Sequence, residues 1–334
     1  MFRTLLACAA FRASIVLAPQ GEPETPPLRP EATIALEGVS GRLDHLALDL
    51  ARRRLYVAAL GNGSVEVVDL AAKVREKSLP GFSEPQGVLV LATEDRILVT
   101  NGGSGALDVL EGTKCEKVAS VAVGPDADNL RHDPRTKLVY VGVGEGEDGG
   151  LAIVDATAWK LVGRIDLGGH PESFQFDAKV ERAFVNVPSK RAIVVVDLAR
   201  RQVVETWPLE GAEENYPMAI QGADRRLFVA CRKPAQLLVI DPAKGRNFES
   251  LPLGGDADDV FLDEASGRVF VACGAGWIDM FERGDLGKYA PFERLGTRDG
   301  ARTCLFSPGE GRLYLAVPRK GDATAEIRVF DARR

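Results

Sequence analysis

The chain has 334 residues, 45% of them hydrophobic, which is ample for a packed core of domain size. Its 48 acidic residues outnumber 42 basic ones and leave a net charge of −6, so nucleic acid would find only a local patch to bind and is a poor default partner. The 35 glycines and 19 prolines are scattered along the chain, which suits many short strands joined by turns, and no convincing helix-period apolar stretch occurs.

Residues 1–18, MFRTLLACAAFRASIVLA, pair a basic residue with an apolar run ending in small residues, the pattern of a secretory leader. A periplasmic or extracellular location is therefore expected. Lipidation at Cys8 is the lesser reading, because only seven residues precede it. Residues 19–32, PQGEPETPPLRPEA, have almost nothing to bury and read as a flexible tether. No later apolar run approaches the ~18 residues of a membrane span.

From residue 33 onward an apolar triplet recurs: Leu55-Tyr56-Val57, Ile97-Leu98-Val99, Val139-Tyr140-Val141, Ala183-Phe184-Val185, Leu227-Phe228-Val229, Val269-Phe270-Val271 and Leu313-Tyr314-Leu315. Its third members are spaced by 42, 42, 44, 44, 42 and 44 residues. Each triplet is followed by a second β-rich segment ending in an acid, from VEVVD at Asp69 to IRVFD at Asp331. The acid would accept backbone N–H bonds and start a turn. With an inner strand such as HLALD and an outer one such as KSLPG, each unit reads as four antiparallel strands, and that period predicts a seven-bladed β-propeller. Both faces of each blade are apolar because each blade lies between two others.

The seventh unit stops at Asp331 without a fourth strand, and TIALEG at residues 33–38 matches the missing segment. The N-terminal strand is expected to close the last blade, making 33–334 a single domain with no open edge. Four cysteines follow the leader, Cys115, Cys231, Cys273 and Cys304, none in CxxC spacing. Buried thiols are the expectation and a structural disulfide the lesser reading.

The stretches RLYVAALGNGSVEVVDLAAK (54–73) and LVTNGGSGALDVLEG (98–112), with SEPQGV (83–88) and GGHPESF (168–174) before inner strands, resemble the YVTN family of bacterial propeller repeats. The resemblance runs from about residue 33 to the C-terminus, although the asparagine of the motif survives only at Asn101 and Asn186. It implies the fold, and it implies little about function. Similar propellers serve as secreted binding modules, cell-surface repeats or parts of redox enzymes.

In a propeller, the turns leading into the inner strands crowd one mouth of the channel, where ligands usually bind. Counting back from each triplet places Asp44, Gln86, Asp128, Glu172, Asp258 and Arg302 there, with Met218 in the fifth repeat if its turn is shorter. The next positions hold His45, Gly87, Asn129, Ser173, Ala219, Asp259 and Thr303. Asp44, Asp128, Glu172 and Asp258 could gather a hard cation such as Ca²⁺, or simply line a hydrated channel. His45 is the one candidate general base or metal ligand, beside Asp44 and Asp258. His132 and His170 show no histidine partners, which argues against zinc.

The turns between second and third strands carry Lys190 and Arg191, Arg232 and Lys233, and Arg319 and Lys320, opposite Glu145, Glu147 and Asp148. With Arg302 they would form a basic crescent suited to a carboxylate, a phosphate or an acidic protein segment. No GxSxG, HExxH, P-loop, dinucleotide or CxxCH motif occurs. The leading expectation is an exported, monomeric, non-enzymatic propeller that binds a small ligand or protein partner at the channel mouth. The alternatives are a metal-dependent lactonase or esterase, with Asp44, Glu172 and Asp258 on the ion, and an accessory component of a quinone-cofactor or haem enzyme.

Overall fold

The second and third strands of each repeat are almost wholly buried, as in Arg54–Ala59 and Ser64–Asp69, whereas the outer strand Val74–Pro80 is exposed at alternate positions. This gradient follows from stacking sheets face to face around an axis. The computed structural model describes residues 27–177, 180–222 and 225–333. Twenty-eight strands form seven four-stranded antiparallel sheets, the seven blades of a β-propeller. Blade 1 is Leu46–Asp49, Arg54–Ala59, Ser64–Asp69 and Val74–Pro80, from the inside outward, and blades 2 to 6 repeat that order from Pro85 to Gly296.

Each apolar cluster is shared by two consecutive blades. Leu55, Val57 and Ala59 pack against blade 7 at Tyr314 and Ile327, while Tyr56 and Ala58, on the opposite face, pack against blade 2 at Ile97 and Val99. Burying one such side chain contributes roughly 1.5–3 kcal/mol. A single uncovered blade face would therefore forfeit an amount comparable to the whole stability of a domain, about 5–15 kcal/mol, so the ring must close.

Closure is made by Arg29–Leu36, which pairs antiparallel with Ala325–Asp331 and sets Ile34 opposite Ile327 and Leu36 opposite Ala325. The seam is reinforced by ion pairs from Arg29 to Asp331 at 2.8 Å and from Arg312 to Glu31 at 2.6 Å, and Leu28 is buried beside Phe270 and Phe330. The closing strand was expected at 33–38 and lies four residues earlier at its start. Arg29–Ala32 belong to it and not to the tether, because Glu31 and Arg29 find charged partners that composition alone does not reveal. The leader at 1–18 and the tether up to residue 26 lie outside the described residues.

The strand-ending acids do start turns: Asp69 Oδ1 accepts the N–H groups of Ala71 and Ala72, and Asp155 Oδ1 those of Thr157 and Ala158. Cys115, Cys231, Cys273 and Cys304 are all free and buried. Among the described residues no helix is long and apolar enough to cross a membrane.

Candidate functional site

The third member of every triplet pairs with the inner strand at the same offset: Val57 with Leu46, Val99 with Val88, Val141 with Leu130, Val185 with Phe174, Val229 with Met218, Val271 with Val260 and Leu315 with Cys304. Two residues before each inner partner stand Asp44, Gln86, Asp128, Glu172, Tyr216, Asp258 and Arg302. The fifth repeat is therefore not shortened. Tyr216 holds the place expected for Met218, and Pro217 that expected for Ala219, because Met218 pairs with Val229 and the thirteen-residue count holds here as in the other repeats.

Arg42 organises this mouth. Gly41 adopts φ +75°, and a Cβ there would lie 2.8 Å from Gly61 Cα, so the chain can approach this closely only without side chains. Gly61 N then donates to Arg42 O at 3.0 Å. The guanidinium reaches Asp44 at 2.9 Å and Asp258 at 3.5 Å. Desolvation opposes its charge, but the pull of Asp44, Asp258, Asp128 and Glu172 outweighs that cost. Two of the four carboxylates expected to collect a metal ion, Asp44 and Asp258, thus share an arginine. Among the described residues no group of three His, Cys, Asp or Glu side chains is placed to hold a metal ion.

Burial pushes the Asp44 and Asp128 carboxyls up to about 6, opposed by His45 in both cases. Glu172 is raised well above the usual carboxylate range by burial and by Asp128 and Asp258, and burial also raises Asp258 against the pull of Arg232 and Arg42. His45 moves the other way in charge. Burial alone would lower it, yet Asp259 at 3.5 Å from Nδ1, with Asp44 and Asp128, lifts it to about 10. Its carboxylate neighbours thus favour the imidazolium at neutral pH, whereas a general base at this position would need the neutral ring.

Asp259 also accepts the Cys304 N–H at 2.8 Å, which ties blade 6 to blade 7, and Asn129, likewise buried, lines the same cavity from blade 3. Gln86 donates to Asp126 at 3.0 Å. Arg232 bonds Asp258 at 2.6 Å and lies 3.9 Å over the Tyr216 ring. Arg302 meets Asp256 through two bonds of 3.0 and 2.9 Å. Arg191 pairs with Glu213, Lys233 with Glu214, and Lys320 with Asp299, while Arg319 is exposed and donates to Gly321 O. Arg191, Arg232, Lys233, Arg302 and Lys320 thus each have a carboxylate partner within the fold.

Below the mouth lies a cavity of about 460 Å³, running from His45, Asn129 and Asp259 to Leu50 and Pro308, which follow their inner strands at the other end of the channel. One register position of the inner strands belts it: Ala47, Leu89, Arg131, Gln175, Phe261 and Leu305, with Ala219 in an adjoining cavity of about 230 Å³. Five of the seven belt residues are apolar. Sequence reasoning passed over this belt, as well as Arg42 and Tyr216; aligning the inner strands by register would have shown two polar residues in an apolar layer.

No family profile and no curated protein sequence matches the chain. Among solved structures it is similar to a chain of Kuenenia stuttgartiensis hydrazine synthase, with 15% identity, a TM-score of 0.73, and coverage of 84% of this chain and 95% of the other. At that identity the likeness is one of fold.

Proposed function

We propose that this protein is an exported, monomeric, non-enzymatic binding propeller, descended from YVTN-type repeats, whose ligand enters the central channel. The supporting observation is the channel itself: a cavity of about 460 Å³, in the size range of ligand pockets, walled by inner strands under a mouth where Arg42, Arg232 and Arg302 are each paired with a carboxylate. The hydrolase reading draws less support. Arg42 already pairs with two of its metal donors, Asp44 and Asp258, and the carboxylates around its base, His45, favour the imidazolium form.

The test is binding of a neutral fluorescent apolar probe, N-phenyl-naphthylamine. One saturable site is expected, abolished by Leu305→Trp, which fills the channel, with the melting transition retained. Absence of saturable binding, or binding indifferent to Leu305→Trp, contradicts the reading. A lactone-hydrolysis screen completes it: metal-dependent turnover lost in Asp258→Ala would favour the hydrolase instead.

A further inference from the structure

Four arginines surround the channel, and one differs from the rest. Arg42, Arg232 and Arg302 each face a carboxylate within 3 Å. Among the described residues Arg131 makes no ion pair; its Nη1 donates to Leu130 O at 2.8 Å, and its guanidinium lies 5.5 Å from the Phe174 ring centre. It lines both cavities, as do Gln175, Asp259 and Phe261, so the two spaces meet around it.

Asp259, the carboxylate that lines both cavities, is committed to His45 and to the Cys304 N–H. Gln175 donates to Met218 O at 2.8 Å. At the level of Arg131 other blades present Leu89, Phe261 and Leu305, and beyond them the lining continues through Leu48, Val90 and Phe306 to Leu50, which is exposed at the far mouth.

We propose, building on the channel-binding reading, that the channel takes a small amphipathic monoanion, its head group on Arg131 and its apolar body along Leu89, Phe261 and Leu305. A guanidinium carries a forked donor set that matches a carboxylate, and such a pair is strong where water is largely excluded. Desolvation lowers the Arg131 pKa from its ordinary value, partly offset by Asp259 and Asp128, and a bound anion would relieve that cost. The apolar body supplies affinity in proportion to the area it buries, and the Arg131 guanidinium, which makes no ion pair among the described residues, sets orientation. A cationic amphiphile would place its charge against Arg131 and His45 and be rejected.

The experiment is titration calorimetry with decanoate, decanol and decyltrimethylammonium, all below micelle formation. Decanoate is expected to bind at one site at least tenfold more tightly than either of the others. Arg131→Gln should weaken decanoate at least tenfold and leave decanol unchanged, while Arg131→Lys retains most of the decanoate affinity and Lys160→Gln, on an outer strand, changes nothing. If decanoate and decanol bind alike and Arg131→Gln moves neither, the anion assignment falls while channel binding stands. A preference for the cation overturns it without any variant, which covers the case in which Arg131→Gln does not fold. If none of the three binds, the assignment fails outright, and the neutral-probe titration then decides whether channel binding fails with it.

Discussion

At the blade interfaces one register position holds Leu55, Ile97, Val139, Ala183, Leu227, Val269 and Leu313, all fully buried. At the channel mouth the corresponding position of the approach turns holds Asp44, Gln86, Asp128, Glu172, Tyr216, Asp258 and Arg302. An interface residue is covered by the next blade, so any aliphatic side chain of suitable size satisfies it, and seven near-copies suffice. A mouth residue faces across the channel to other blades, and its charge must be balanced there. Repetition cannot supply that balance, because seven identical charges would repel one another, so the mouth is individual where the interfaces are uniform.

The largest expected effect comes from breaking the interface pattern at its seam. Deleting residues 29–36 uncovers the outer edge of blade 7 and the Leu36 and Ile34 contacts, so the product should show no cooperative melt and should aggregate on size-exclusion chromatography. A cooperative, monomeric deletion product would mean that the interfaces do not need the closing strand. Within a blade, Phe270→Ala leaves a cavity beside Phe306, Leu313 and Leu28, and should cost about 3–5 kcal/mol in denaturant unfolding with little change in slope.

At the mouth, effects should be smaller and depend on pH. Arg42→Gln leaves Asp44 and Asp258 short of a cation and should cost about 1–3 kcal/mol at pH 8, a range reduced because the Arg42 side chain is 45% exposed. The cost should shrink at pH 5, where Asp44 and Asp128, titrating near 6, are protonated. An equal penalty at both values would show that Arg42 acts through packing instead.

His45 sharpens the same contrast. Its folded value of about 10 lies above the ordinary 6.5, so the folded state holds the proton more tightly. The stability it contributes is complete below pH 6.5 and is lost as pH rises through 10. His45→Gln should flatten the fall in denaturation free energy between those limits, while Phe270→Ala should lower the whole curve without changing its slope.

The fold could be read from the chain because interface residues repeat: seven triplets at nearly constant spacing and an acid closing each third strand are periodic signals. The closing strand was legible at Ile34 and Leu36, but its first residues, Arg29–Ala32, resemble tether, and only pairing with Asp331 and Arg312 reveals them. The ring residues were found by counting, except in the fifth repeat, where the count itself falls on Tyr216 and supposing a shorter turn moved the expectation to Met218. Arg42 has no periodic signature, and its meaning depends on Asp258, which lies five blades further along the chain. Arg131 sat inside a strand read for its alternation, and its place in the channel appears only when seven inner strands are set side by side.

Amide hydrogen exchange across Arg29–Leu36 bears most directly on the claim that only a closed circle of blades hides these apolar faces. The ring predicts that the N–H groups of this strand paired to Ala325–Asp331 exchange as slowly as those of Arg54–Ala59 and Arg312–Val317, through global unfolding. Exchange at the rate of a frayed terminus, with Arg312–Val317 still protected, would contradict it.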